Sequence, residues 1–237
     1  MKRHVVLLCA CVLVASLAAA AGAQVSLYGQ AGYTTFVLDE FNDVIQSINA
    51  DGEGSPGEWD PMPEIRGGWL VSAGVAYSVA PNVSLRGGVE YLNVGKSVGT
   101  YTEDTPTGTS TGVSTLSSSA LGITVGAAYH LPVGALNLDL TGDVGYYRVP
   151  LHYDLTVDGA VDDELDAVGT GIGFQAGING TYALGVNFDL VFGIGYRFLT
   201  VSELKDENGD VVVGFSGDPL QMELSGIVGR VGVAYRF

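Results

Sequence analysis

The side chains able to do chemistry are few and unevenly placed. Of three histidines, His4 lies in an N-terminal apolar segment, His130 sits beside a turn, and His152 heads the run His152-Tyr153-Asp154. An imidazole beside carboxylates can act as a general base, and nucleophilic catalysis would add a serine. His152 is the histidine placed to serve such a constellation, but no serine spacing around it marks a nucleophile. His130 reads as a hydrogen-bonded structural residue. Gly171-x-Gly173-x-x-Ala176 matches a loose dinucleotide fingerprint, which works only between a strand and a helix N-terminus. Here it falls inside a two-residue alternation and is rejected. Asp206-x-Asn208-x-Asp210 has the first three ligand positions of a calcium loop, yet Val211 stands where that loop needs glycine and Gly217 where it needs glutamate. Asn208-Gly209 and Asp158-Gly159 read instead as type I′ hairpin turns. The expectation is no cofactor, no metal and no enzyme activity.

A second set of ionisable residues shares one parity of alternating segments: Arg86, Glu90, Asp139, Asp143, Asp189, Arg197, Arg230 and Arg236. Four bases face four acids, interleaved with glycines that leave room for long side chains. The other parity is apolar throughout, as in Leu136, Leu138, Leu140 and Val144, or Phe188, Leu190, Phe192 and Ile194. A Lys or Arg facing lipid at mid-depth costs ~2–4 kcal/mol, which explains a face free of ions. Arg148 falls on the apolar parity, but beyond Tyr146, where it can snorkel to headgroups.

These alternations define eight strands, near 25–36, 67–79, 83–95, 117–131, 136–149, 170–184, 186–199 and 223–237. Tyr77, Tyr129, Tyr182 and Tyr235 recur at intervals of 52, 53 and 53 residues, the first three before short turns. Tyr33, Tyr91, Tyr146 and Tyr196 mark the opposite strand ends, where the long connections 37–66, 96–116, 149–168 and 200–222 begin. Two aromatic girdles, short turns on one side and long loops on the other are the pattern of an all-β fold, an eight-stranded antiparallel up-and-down transmembrane β-barrel. A soluble barrel around a ligand cavity would turn the apolar parity inward and carry Lys and Glu on the other. That face holds Gly, Ala and Thr instead.

Composition agrees. The chain has 237 residues, 47% of them hydrophobic and 15% charged, with a formal net charge of -16, and a mean hydropathy of +0.30. Such a chain is neither disordered nor a nucleic-acid binder. Met1 to Arg3 followed by an apolar run to about Ala20 and Ala21-Gly22-Ala23 reads as a signal peptide, residues 1–23, leaving a barrel domain at 24–237. Both cysteines, Cys9 and Cys11, lie in that leader, so no disulfide is expected.

Val231, Val233, Tyr235 and Phe237 set a terminal aromatic after apolar residues two, four and six places earlier. This resembles the C-terminal signal of Gram-negative-type outer-membrane proteins, and the chain as a whole resembles small eight-stranded barrels of the OmpA/OmpX-like, porin-like kind. The resemblance implies integral insertion in the cell outer membrane, contact with outer-membrane lipid and lipopolysaccharide, and handling by the barrel assembly machinery. The peptidoglycan-binding domain of full-length OmpA-type proteins is expected to be absent, since the chain stops at the closing strand. The extracellular partner is unknown.

The acidic residues concentrate in the long connections, as a solvated surface or a means of bridging cations to anionic lipid. Phe41, Val44, Ile45 and Ile48 predict a short helix over the barrel mouth with Asp39 as N-cap. Loop 2, rich in Thr, Ser and Gly, reads as flexible, and loops 3 and 4 as extensions of the strands. The functional expectation is a non-enzymatic barrel serving envelope integrity or surface interaction. Its alternatives are an OmpW-like channel for small solutes or hydrophobic compounds and, more distantly, a lipid-active hydrolase. An apolar groove opening sideways under the helix would favour the channel, and a serine beside His152 would favour the hydrolase.

Overall fold

The structure, a computed structural model, describes residues 24–54, 57–106, 108–134, 136–214 and 217–237. The expected signal peptide, with His4, Cys9 and Cys11, lies outside the described residues. Eight long strands form the wall: β1 (Val25–Thr35), β3 (Gly67–Ala80), β4 (Val83–Thr105), β5 (Gly108–Val133), β6 (Leu136–Val157), β7 (Ala160–Ala183), β8 (Phe188–Val201) and β11 (Gly226–Arg236). Each pairs antiparallel with the next, and β1 closes the ring against β11 through Ser26↔Arg236 to Thr34↔Val228. Closure leaves no edge in the apolar zone. Between β1 and β3 lie the helix α1 (Asp39–Glu53) and β2 (Glu58–Asp60); β9 (Leu204–Asp206) and β10 (Met222–Glu223) lie between β8 and β11.

Several loop expectations need correction. Loop 2 is no flexible linker: β4 and β5 remain paired from Lys96↔Ser117 to Thr105↔Gly108. Its threonines and valines are β-branched and fit a pleated ladder, which outweighs the Ser/Gly content. Loop 3 is an extension, as expected, pairing β6 with β7 up to Val157↔Ala160. Asp158 and Gly159 both take positive φ, 51° and 79°, as a type I′ turn requires. Loop 4 is mostly irregular among its described residues, with the short β9 and β10 as its strands there. At its tip Gly209 alone has positive φ, 88°, so Asn208-Gly209 is not a type I′ turn. The Asp206 carboxylate instead accepts the amide hydrogens of Asn208 and Asp210, both at 2.9 Å, an Asx-type turn ended by a left-handed glycine.

The sense of the alternation inverts along the strands. Below Tyr91 and Tyr146 apolar residues point out and ions point in. Beyond them Leu92, Val94, Val149, Leu151 and Leu199 point in and are buried, while Lys96, His152 and Asp166 point out. That inversion is what a wall passing from lipid into water demands.

The inward apolar residues meet α1. Phe41 and Ile45 are buried among Leu70, Leu92, Val149 and Leu199, with Val44 and Ile48 partly buried beside them. The helix starts one residue earlier than expected: Leu38 is the N-cap, without a side-chain bond, and Asp39 lies in the first turn with Glu40, where carboxylates suit the helix dipole. Two asparagines one heptad apart tie α1 to the returning chain. Asn42 exchanges hydrogen bonds with the backbone of Ile65, at 3.1 and 3.0 Å. Asn49 does the same with Met62, at 3.0 and 2.8 Å, and accepts a bond from the Trp59 indole. Phe41→Ala should loosen this cap by ~3–5 kcal/mol, read as protease sensitivity of α1 with the heat-modifiable gel mobility of the barrel unchanged. A cap as resistant as the wild type would contradict the packing described.

Candidate functional site

Tyr147 of β6 is cradled by glycines on its own strand and on both neighbours. A Cβ at Gly145 would stand 2.6 Å from its ring, one at Gly173 2.8 Å, and one at Gly122 closer still. The phenol therefore lies across the lumen and donates a 3.2 Å hydrogen bond to Glu90. Glu90, on β4, is the hub of the barrel interior. Arg197 of β8, diametrically opposite in the ring, donates to its Oε1 at 2.5 Å, and Arg230 of β11 donates to its Oε2 at 2.5 Å. Arg230 also reaches Gln175 at 2.6 Å. Glu90 is 2% exposed and Arg197 not at all. One carboxylate with two guanidiniums leaves a net positive charge locally, and the Arg86–Asp143 ion pair, 2.9 Å, lies in the same cluster. The cavity remaining among these side chains is about 20 Å³.

Nearer the short turns the lumen opens into a vestibule of about 350 Å³. Arg236 pairs there with Asp189 at 2.8 Å. His130 lies between Asp139, 2.7 Å from Nδ1, and Ser84, 2.9 Å from Nε2. Thr181 donates to the other oxygen of Asp139 at 3.0 Å. All eight ionic residues read as a lumen set therefore lie inside and have partners. The pairing is less symmetric than a count of four against four suggests, because Glu90 takes two arginines and Asp139 takes the histidine.

Of the eight tyrosines of the two expected girdles, seven are exposed and Tyr235 is half-buried. Trp69 joins the long-loop girdle, its ring centroid 5.5 Å from that of Tyr91. Sequence reasoning missed it, although it lies on the parity of Val71. Val231, Val233 and Phe237 are exposed and Tyr235 is half-buried among them, a stripe at the short-turn end of β11 and just beyond it. Tyr235 packs edge-on to Phe188 and Phe237.

On the outer wall beyond the girdle, strand register aligns a row: Lys96 opposite Ser117, Ser117 opposite His152, His152 opposite Asp166. Directly opposite residues share a face. The His152 Nδ1 and Asp166 Oδ1 are 2.5 Å apart, and that hydrogen bond raises the imidazole pKa above its ordinary value. The structure thus puts a serine beside His152 that sequence spacing did not reveal, because the two meet only through the β5/β6 register. Ser117 makes no hydrogen bond to the imidazole. Nearby, amide donors of its own turn, Asp210 first, hold the Asp206 carboxyl below the usual range. His152, Glu164 and Asp166 place one ligand atom each within 4.8 Å of one another, all on exposed or half-exposed side chains.

The sequence profile of the family described as "Outer membrane protein beta-barrel domain" matches residues 7–237. No curated protein sequence is similar enough to count as a relative. Among solved structures, a major outer membrane protein from Thermus thermophilus superposes with a TM-score of 0.51 at 14% identity, covering 91% of this chain and 100% of that one. Neisserial surface protein A gives a TM-score of 0.42 at 14% identity, covering 91% and 97%. Strand ring, girdles and profile agree: the chain belongs to the outer membrane protein beta-barrel domain family and is an integral protein of the outer membrane.

Proposed function

We propose that this protein is a sealed, non-enzymatic outer-membrane barrel that contributes to envelope integrity and presents its long acidic connections to the outside. The observation that carries this reading is the Glu90 hub. A carboxylate bonded to Arg197 and Arg230 across the lumen fills the interior where a conduction path would have to run. An eight-stranded barrel is just wide enough for its own side chains. Above the hub, α1 adds an apolar cap. The channel reading would need an apolar groove opening sideways under α1, whereas Phe41 and Ile45 are buried in the mouth. The acidic connections suit divalent-cation bridging to lipopolysaccharide, and the stripe from Val231 to Phe237 suits recognition by the barrel assembly machinery.

Two seals in series make a specific expectation. In planar bilayers the wild type should be nearly silent. Arg230→Ala alone should stay silent because the cap remains, and Arg230→Ala combined with deletion of 39–53 should leak. Steady nanosiemens-scale steps from the wild type would refute the proposal.

One observation favours a second reading, lipid hydrolysis: the Ser117–His152–Asp166 row on the wall. A fluorophosphonate probe separates the two. The sealed-barrel reading expects no labelling, while labelling that Ser117→Ala abolishes would favour the hydrolase.

A further inference from the structure

Basic residues are scarce outside the leader, and their placement is informative. Of eight, four lie in the lumen: Arg86, Arg197, Arg230 and Arg236. Three of the other four, Lys96, Arg148 and Lys205, line a single cleft of about 820 Å³ on the outer wall. We infer that this cleft binds the phosphorylated headgroup of a lipid in the leaflet at the long-loop end. The inference does not depend on whether the lumen is sealed.

The cleft is built by strand geometry. A bulge in β4 at Asn93/Gly95, with Gly95 at φ 134°, shifts the register by one residue. Without it Lys96 would share the inward parity of Glu90 and Leu92; with it Lys96 points out. β5 contributes the short side chains of Ser117 and Ser119, which form a trough between Lys96 on one side and Arg148 and His152 on the other. β9, paired to β7 through Lys205↔Val168, brings in Lys205 from the far edge.

The lining carries three bases and three carboxylates, Asp166, Asp206 and Glu207, so it is the unpaired cations, not the net charge, that favour an anion. Lys96 and Arg148 have no ion-pair partner among the described residues, and Lys205 has only a loose 3.7 Å contact with Glu203. Of the three carboxylates, Asp166 is engaged by His152 and Asp206 by the amides of its own turn, while Glu207 stands two residues from Lys205. Arg148 offers the planar fork that matches phosphate oxygens.

Depth selects the source of the phosphate. Arg148 lies in the row of Tyr91 and Leu121, at the girdle. His152 and Lys96 lie four residues further along, ~14 Å at ~3.4 Å per residue, and Lys205 lies between. A headgroup layer ~5–8 Å thick on each side of the hydrocarbon meets Arg148 and Lys205, and a larger phosphorylated headgroup reaches Lys96. Leu121 beside Arg148, and Ile123 and Ile172 in the row below, are exposed and offer acyl chains an apolar wall. A free phosphate would use the cations but not that wall.

The test is native mass spectrometry of the full chain in maltoside micelles holding equal amounts of dioleoyl phosphatidic acid and dioleoyl phosphatidylcholine. The wild type should retain phosphatidic acid by on the order of tenfold to a hundredfold over phosphatidylcholine, given the attraction of surface Lys and Arg for anionic lipid. The triple variant Lys96→Gln, Arg148→Gln and Lys205→Gln should lose that preference, and Arg66→Gln should keep it. All four side chains point to solvent, and heat-modifiable mobility checks that each variant is folded. Equal retention of both lipids by the wild type, or an undiminished preference in the triple variant, overturns the inference. Loss of phosphatidic acid on adding millimolar inorganic phosphate overturns the lipid assignment in favour of a soluble phosphate.

Discussion

The structure depends on one carboxylate. Glu90 lies where water is excluded, and two guanidiniums from the opposite wall converge on it. Removing one partner of a buried ion pair typically costs ~3–5 kcal/mol, because the charge left behind cannot be hydrated. The hub therefore ties β4 to β8 and β11, strands that do not neighbour β4 in the ring. Backbone ladders alone would join each strand only to its neighbours. Tyr147, lying across the lumen in its glycine cradle, fixes the hub from the β6 side.

A second constraint follows from solvent. The same strand must be apolar outside and polar inside in lipid, then apolar inside and polar outside in water. β6 makes the change within a few residues: Val144 and Tyr146 point out and Asp143 points in, whereas Arg148 and His152 point out and Val149 and Leu151 point in. The inverted upper half needs an apolar core, and α1 supplies its lid. Cap and hub are thus two solutions to filling one narrow tube, chosen by the medium outside the wall.

Much of this was legible in the sequence because a period of two maps directly onto the two faces of a strand. Ring order, girdles and the lumen parity of Arg86 through Arg236 followed from alternation alone. The pairs did not, since Arg197 meets Glu90 across the diameter, a relation no local pattern encodes. The apolar cap was legible only in part: the helical spacing of Phe41 and Ile45 was visible, but its counterpart is spread over seven of the eight wall strands and the short β9 and β10. Asn42 and Asn49 carried no signal as single residues, although their seven-residue spacing puts both on one helical face. Loop 2 was misread because its Thr, Ser and Gly together resemble flexible composition, whereas its Thr, with Val, is β-branched and suits a paired ladder. The Ser117–His152–Asp166 row and the outward turn of Lys96 required the register and the bulge.

If the Glu90 hub is what holds the interior together, its members must be energetically coupled. The most direct measurement is a double-mutant cycle on reversible urea unfolding in lipid bilayers, with Glu90→Gln, Arg197→Gln and the pair. Each single change should cost ~3–5 kcal/mol, and the double should cost less than the sum by ~1–3 kcal/mol. Additive effects, or single changes costing under about 1 kcal/mol, the scale of an exposed ion pair, would contradict the account.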